Sequence, residues 1–245
     1  MTAAWVLLGV FVLVAYTVEA VTGFGSIVIA LSLGALVLPI ADMLPVLVPL
    51  NIALSGYLTL RHYQRIHWPT LLQLILPLMA AGTLVGYLLK PQLGSTAMQL
   101  LFGVLVIWFS ARELRRLFGT GQARVAHSRG KTLGLMFGAG ATHGLFASGG
   151  PLLVYALAGR ELDKRQMRST LIAVWLSLNT LLTMIFLADG TLVPALPVTA
   201  AYLPVVGVGI VAGEWLHHHI DELQFRKLVF LLLAGTGVAL TVSAW

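Results

Sequence analysis

An all-α polytopic membrane protein is the fold class this sequence predicts, and three observations predict it. Of 245 residues, 58% are hydrophobic and only 10% are charged, whereas soluble domains carry roughly 25% charged residues. The mean hydropathy of +0.92 points the same way, against a soluble protein with an apolar core. The apolar residues form runs close to the roughly 20 that a helix needs to cross a bilayer. Two of these runs are interrupted at related places, at Thr22-Gly23-Phe24-Gly25-Ser26 and at Ser148-Gly149-Gly150-Pro151.

Ten helical segments follow along the chain: 3–21, 24–39, 42–60, 69–89, 96–116, 131–147, 150–160, 168–188, 194–216 and 224–244. The first has no basic region before Trp5, which a cleavable signal would carry, so it reads as a retained span. The segments beside the two breaks are short, and 150–160 does not span unless it extends to Arg165. Broken or re-entrant helices are therefore expected at Gly23–Ser26 and Ser148–Pro151.

The charged turns set the orientation. Residues 111–131 hold Arg112, Arg115, Arg116, Arg124, Arg129 and Lys131 against Glu113; 61–68 hold Arg61 and Arg65; 160–168 hold Arg160, Lys164, Arg165 and Arg168. Placing all three in the cytoplasm satisfies the positive-inside rule, and an even number of segments separates them. Both termini then lie outside a cell inner (plasma) membrane. The formal net charge of +6 resides in these loops, so it reports orientation and implies no nucleic-acid partner. The absence of cysteine excludes disulfides, thiolate metal sites and cysteine nucleophiles.

The halves resemble each other. Pro77, Gly82 and Gly86 fall on Pro204, Gly209 and Gly213 at an offset of 127; Gly25 and Gly34 fall on Gly150 and Gly159 at 125; Asn51 falls on Asn179 at 128. The expected organisation is a first transmembrane repeat at 1–116, a basic linker at 117–130 and a second repeat at 131–245. Five segments per half make the repeats inverted in the membrane, the arrangement of alternating-access transporters. The paired glycines at 82–86 and 209–213 are expected to let helices pack closely.

The breaks carry the candidate chemistry. A broken helix in a bilayer is tolerated where protein or a cavity surrounds its freed backbone groups. Pro151 suits a first helical turn, Gly149 and Gly150 permit close ligand approach, and Ser148 is a candidate cap or donor. A helix start there favours an anion. Gly23, Phe24, Gly25 and Ser26 repeat the device from the opposite side, so two helix starts are expected to face one small oxyanion.

Thr142 and His143 lead into the second break, and an intramembrane imidazole commonly faces a cavity. His143 and Glu19 are the candidates for proton coupling. Asn51 and Asn179 are expected to bond to the unwound backbone of the breaks or to substrate. His217-His218-His219 point about 100° apart on a helix and do not converge on one metal. No catalytic constellation lies within a span, so neither an enzyme nor a cofactor is expected.

At these residues the chain resembles the TauE/SafE family of sulfite exporters and related anion permeases. Gly144-Leu-Phe-Ala-Ser-Gly-Gly-Pro151 matches the style of the family's glycine cluster followed by proline, while the first copy has Ala30 where a proline often occurs. The resemblance implies transport of a small anion such as sulfite, sulfoacetate or another organosulfonate, and it is compatible with a homodimer in the lipid bilayer. The competing readings are a transporter of another organic anion or of a cation, an intramembrane enzyme, and an assembly factor.

Overall fold

The structure is a computed structural model that describes residues 2–22, 25–119, 127–157, 160, 162–217, 219 and 221–244, apart from the side chains of Lys164, His217 and Glu222. Gly23 and Phe24 lie outside the described residues. Among the described residues, ten helices follow in order: α1 (Ala3–Thr22), α2 (Ser26–Gly34), α3 (Ile40–His62), α4 (Trp68–Gln92), α5 (Ser95–Phe118), α6 (Arg129–Phe146), α7 (Gly150–Ala156), α8 (Lys164–Ala188), α9 (Leu192–His217) and α10 (Glu222–Ser243). Helix α4 carries a π-helical turn at Leu71–Ile75 and a 3₁₀ turn at Lys90–Gln92.

Among the described residues, seven helices are long and apolar enough to cross a membrane: α1, α3, α4, α5, α8, α9 and α10. Large apolar side chains such as Leu60, Leu88, Val211 and Val242 stand exposed, as expected where lipid replaces water. Two segments are shorter than the sequence reading gave. Among the described residues, the segment at 24–39 is helical over Ser26–Gly34, and that at 150–160 over Gly150–Ala156. At 1.5 Å per residue they are about 14 and 10 Å long, too short for a core of about 30 Å.

The chain folds into two compact units that each draw on both ends of the sequence. One comprises residues 1–44, 92–123 and 204–245, the other residues 45–91 and 124–203. The passages within helices α3 and α9 fall immediately before Pro45 and Pro204.

In the first unit, Gly209 and Gly213 of α9 lie on Leu13, Tyr16, Thr17 and Ala20 of α1. Gly103 of α5 meets Gly237 of α10, where a Cβ on Gly103 would sit 3.1 Å from the Gly237 carbonyl oxygen. Phe109 and Phe230 meet edge-on across the same pair, 5.2 Å between centroids. Buried Glu113 on α5 pairs with Arg116 and, at 3.1 Å, with Arg226 of α10.

The second unit repeats the glycine device. Gly82 and Gly86 of α4 lie against the α6 backbone at Phe137 and Ala141, while Gly140 and Gly144 of α6 lie against Met79 and Thr83. The packing role expected of these glycines is thus observed: without Cβ atoms the two backbones close on each other. A core of Leu71, Ile75, Met79, Met136, Ala139, Leu153, Val174 and Leu178 fills the rest.

Candidate functional site

Pro151 cannot continue a helix, because it lacks an N–H and its ring would strike the carbonyl four residues earlier. Helix α6 therefore stops at Phe146. Ala147 turns the chain in a left-handed conformation (φ 51°), which a non-glycine residue adopts only where its surroundings impose it. Its N–H donates to the His143 carbonyl at 2.6 Å. Helix α7 restarts at Gly150 with Pro151 in its first turn.

Three predicted contributors are committed elsewhere. The Ser148 hydroxyl donates to the Phe146 carbonyl at 2.8 Å and does not cap α7, whose N-cap is Gly149. It satisfies an orphan carbonyl at the end of α6 instead. Gly149 lies against the Ala139 backbone, so its missing side chain accommodates α6 and leaves no opening for a ligand. The Thr142 hydroxyl donates to Ala139 O at 3.0 Å, within its own helix.

His143, Gly150, Asn51 and Asn179 come together. His143 is fully buried and stacks on Trp175 of α8, with 6.0 Å between centroids and 18° between planes. A Cβ on Gly150 would lie 3.2 Å from the same Trp175 ring. The Asn179 side chain sits beside the imidazole, one turn beyond Trp175 on α8, and its Nδ2 donates to Asn51 Oδ1 of α3 at 2.7 Å. The two asparagines thus bond to each other, which corrects the expectation that they serve the unwound backbone. Their helices bring them opposite one another before either reaches a break.

The cluster leaves polar atoms unused. Both His143 nitrogens and Asn179 Oδ1 are buried without a hydrogen-bond partner among the described residues, although such groups are nearly always paired. If both amides turn over, the asparagine pair persists and Asn179 presents donor hydrogens instead. The site thus offers an imidazole and an adaptable amide beside a flat aromatic wall. A double-mutant cycle of Asn51→Ala and Asn179→Ala is expected to give a coupling of about 1 kcal/mol, read from thermal unfolding in detergent; additive effects would show that the pair contributes nothing.

The first break, in the other unit, is built differently. Gly25 adopts φ +104°, a left-handed conformation that suits glycine, and forms the N-cap of α2. The Ser26 N–H donates to Glu19 Oε2 at 2.8 Å. Glu19 is 2% exposed, so it is not a hydrated group at a helix end. Buried Tyr16 completes this group against the Ser26 side chain. The expectation that α2 opens toward a substrate anion is corrected here, because a carboxylate of the chain itself takes that place, favoured by the positive helix end. Removing it in Glu19→Ala should cost about 1–3 kcal/mol through the buried N–H it leaves. Glu19→Gln, which keeps an acceptor oxygen, should cost less. Unchanged melting of Glu19→Ala would contradict this.

Sequence reasoning passed over Trp175. Its spacing of four residues from Asn179 puts both on one helix face, which is the signal that was available.

Long apolar spans, two helices too short to cross, and a buried polar cluster beside a helix break characterise a membrane transporter. The chain belongs to the sulfite exporter TauE/SafE family, whose profile matches residues 7–240. It is 26% identical over 186 residues to TsaS of Comamonas testosteroni, described as a probable inner membrane transporter protein, with 75% of this chain and 76% of that protein covered. It is 27% identical over 242 residues to TauE of Cupriavidus necator, described as a probable sulfite/organosulfonate exporter, with 93% and 91% covered. No solved structure matches the chain.

Proposed function

We propose that this protein carries a small sulfur oxyanion, sulfite or an organosulfonate, across the inner membrane by alternating access. The observation that carries the reading is the pair of adjacent buried groups, His143 and Asn179: both imidazole nitrogens and the Asn179 Oδ1 have no hydrogen-bond partner among the described residues. A tetrahedral oxyanion with its water would supply both a strong acceptor and a donor there. Family membership and the names of the two relatives support the same substrate class. Export of an anion from a negative interior needs no coupling ion, since each charge gains about 2.3 kcal/mol per 100 mV. Of the two candidates for proton coupling, His143 is the better placed, because the Glu19 carboxylate already holds the Ser26 N–H.

The inverted repeat, with halves at 1–116 and 131–245 joined by the linker at 117–130, belongs to this proposal. It is supported by matched packing: Gly82 and Gly86 serve α4 on α6 as Gly209 and Gly213 serve α9 on α1, and the repeat-matched Asn51 of α3 and Asn179 of α8 bond to each other. The basic loops at 61–68, 111–131 and 160–168 would face the cytoplasm and both termini the outside.

The test is counterflow of labelled sulfite and sulfoacetate in proteoliposomes. Saturable exchange of either supports the reading; exchange of neither, with intact protein, overturns it.

A further inference from the structure

The second unit contains an open cavity separate from the His143 cluster, with a volume of about 730 Å³. It lies among the start of α4, the start of α6 and the end of α7. Its polar lining includes His67, Gln73, His127, Arg129, Thr132 and Arg160. The described lining residues include no carboxylate. Arg129 and Arg160 are exposed along its wall, whereas Thr132 is buried.

The two histidines are held with nitrogen atoms to spare. The His67 backbone N–H donates to Thr170 Oγ1 at 3.0 Å, and its Nδ1 accepts from the Thr70 N–H at 3.3 Å, which leaves the ring proton on Nε2. His127 stands edge-on to Tyr155, 4.5 Å between centroids. Its Nε2 is buried with no partner among the described residues. Two guanidiniums, two imidazoles and a buried hydroxyl thus surround one polar space, a donor-rich set suited to an oxyanion. Thr132 lies eleven residues before His143 on α6, about 16 Å along the helix axis.

Resting on the transport reading above, we propose that this cavity is a second oxyanion site, a loading vestibule that binds the sulfite or sulfonate group on the basic-loop side before it reaches the His143 cluster. It concentrates the anion through Arg129 and Arg160, whose planar guanidiniums pair with tetrahedral oxyanions. The same chemistry would accept a lipid phosphate, and the experiment separates the two sources.

The probe is labelled methanesulfonate, measured by equilibrium binding to the purified full-length protein in lipid-free detergent. The wild type should bind in two classes. Arg129→Gln/Arg160→Gln should lose one class, Arg129→Lys/Arg160→Lys should retain it, and His143→Ala should lose the other. In proteoliposomes the double Gln variant should raise the KM for sulfite about tenfold with Vmax kept, and its KM should respond less to salt. Wild-type binding and KM in the double Gln variant, with flux intact, would overturn the vestibule and leave the transport reading standing. Absence of oxyanion flux in the wild type would instead overturn that reading. Displacement of methanesulfonate by phosphatidylglycerol but not phosphatidylcholine in nanodiscs, with an unchanged KM in the variant, would make the cavity a lipid-headgroup site and overturn its role in loading.

Discussion

Gly150→Leu is expected to reduce transport to background while the protein still inserts and purifies as a single species. A Cβ at Gly150 would stand 3.2 and 3.4 Å from two carbons of the Trp175 ring, already tighter than ordinary contact. Leucine adds three further carbons. Trp175 is 7% exposed and its ring lies nearly parallel to that of His143, so displacement of the indole is passed to the imidazole. Overpacking of this kind costs about 1–3 kcal/mol, tolerable for the fold but disruptive for a site that depends on the position of His143. Gly150→Ala should give an intermediate flux, because the ring then has to yield by only a small amount. The measurement is counterflow in proteoliposomes, with size-exclusion chromatography to verify folding. Normal flux in Gly150→Leu would remove this cluster from the transport path.

Gly140→Leu is expected to prevent accumulation of folded protein, whereas Gly138→Leu on the same helix is tolerated. A Cβ on Gly140 would overlap the backbone of Met79. Backbone atoms cannot swing aside as a side chain can, so α4 and α6 would have to separate along their whole contact. The cost should reach about 3 kcal/mol or more. A Cβ on Gly138 would meet nothing within 4 Å. The comparison isolates interhelical contact from helix propensity, since both substitutions replace glycine by the same residue two positions apart. Membrane yield and thermal unfolding provide the readout. Equal behaviour of the two variants would mean that the α4–α6 contact is not what holds this unit together.

The legible part of the fold was the part set by local chemistry. Hydrophobic runs placed the long helices to within a few residues, because a helix satisfies its own backbone and shows its length as apolar sequence. Pro151 and the surrounding glycines marked the second break, since a proline forbids helix continuation whatever surrounds it. Gly82, Gly86, Gly209 and Gly213 were legible as packing residues by their spacing. The ends of α2 and α7 were not, because apolar residues continue beyond both and do not reveal where the chain turns.

The candidate site was legible as a set of residues but not as a set of partners. Sequence alone singled out Glu19, Ser26, Asn51, His143, Gly150 and Asn179, all polar or small residues in apolar surroundings. It determined the class of protein, the two breaks and the polar inventory, which depend on residue type and position along one helix. The tertiary structure decided that Asn179 bonds to Asn51, that Glu19 occupies the start of α2, and that Trp175 joins His143 to Gly150. Each of these is a contact between segments distant in sequence or facing across a break, and such contacts are fixed by how helices pack. That packing also made the two breaks unlike: the first is closed by the chain's own carboxylate, and the second lies beside an imidazole whose nitrogens have no partner among the described residues.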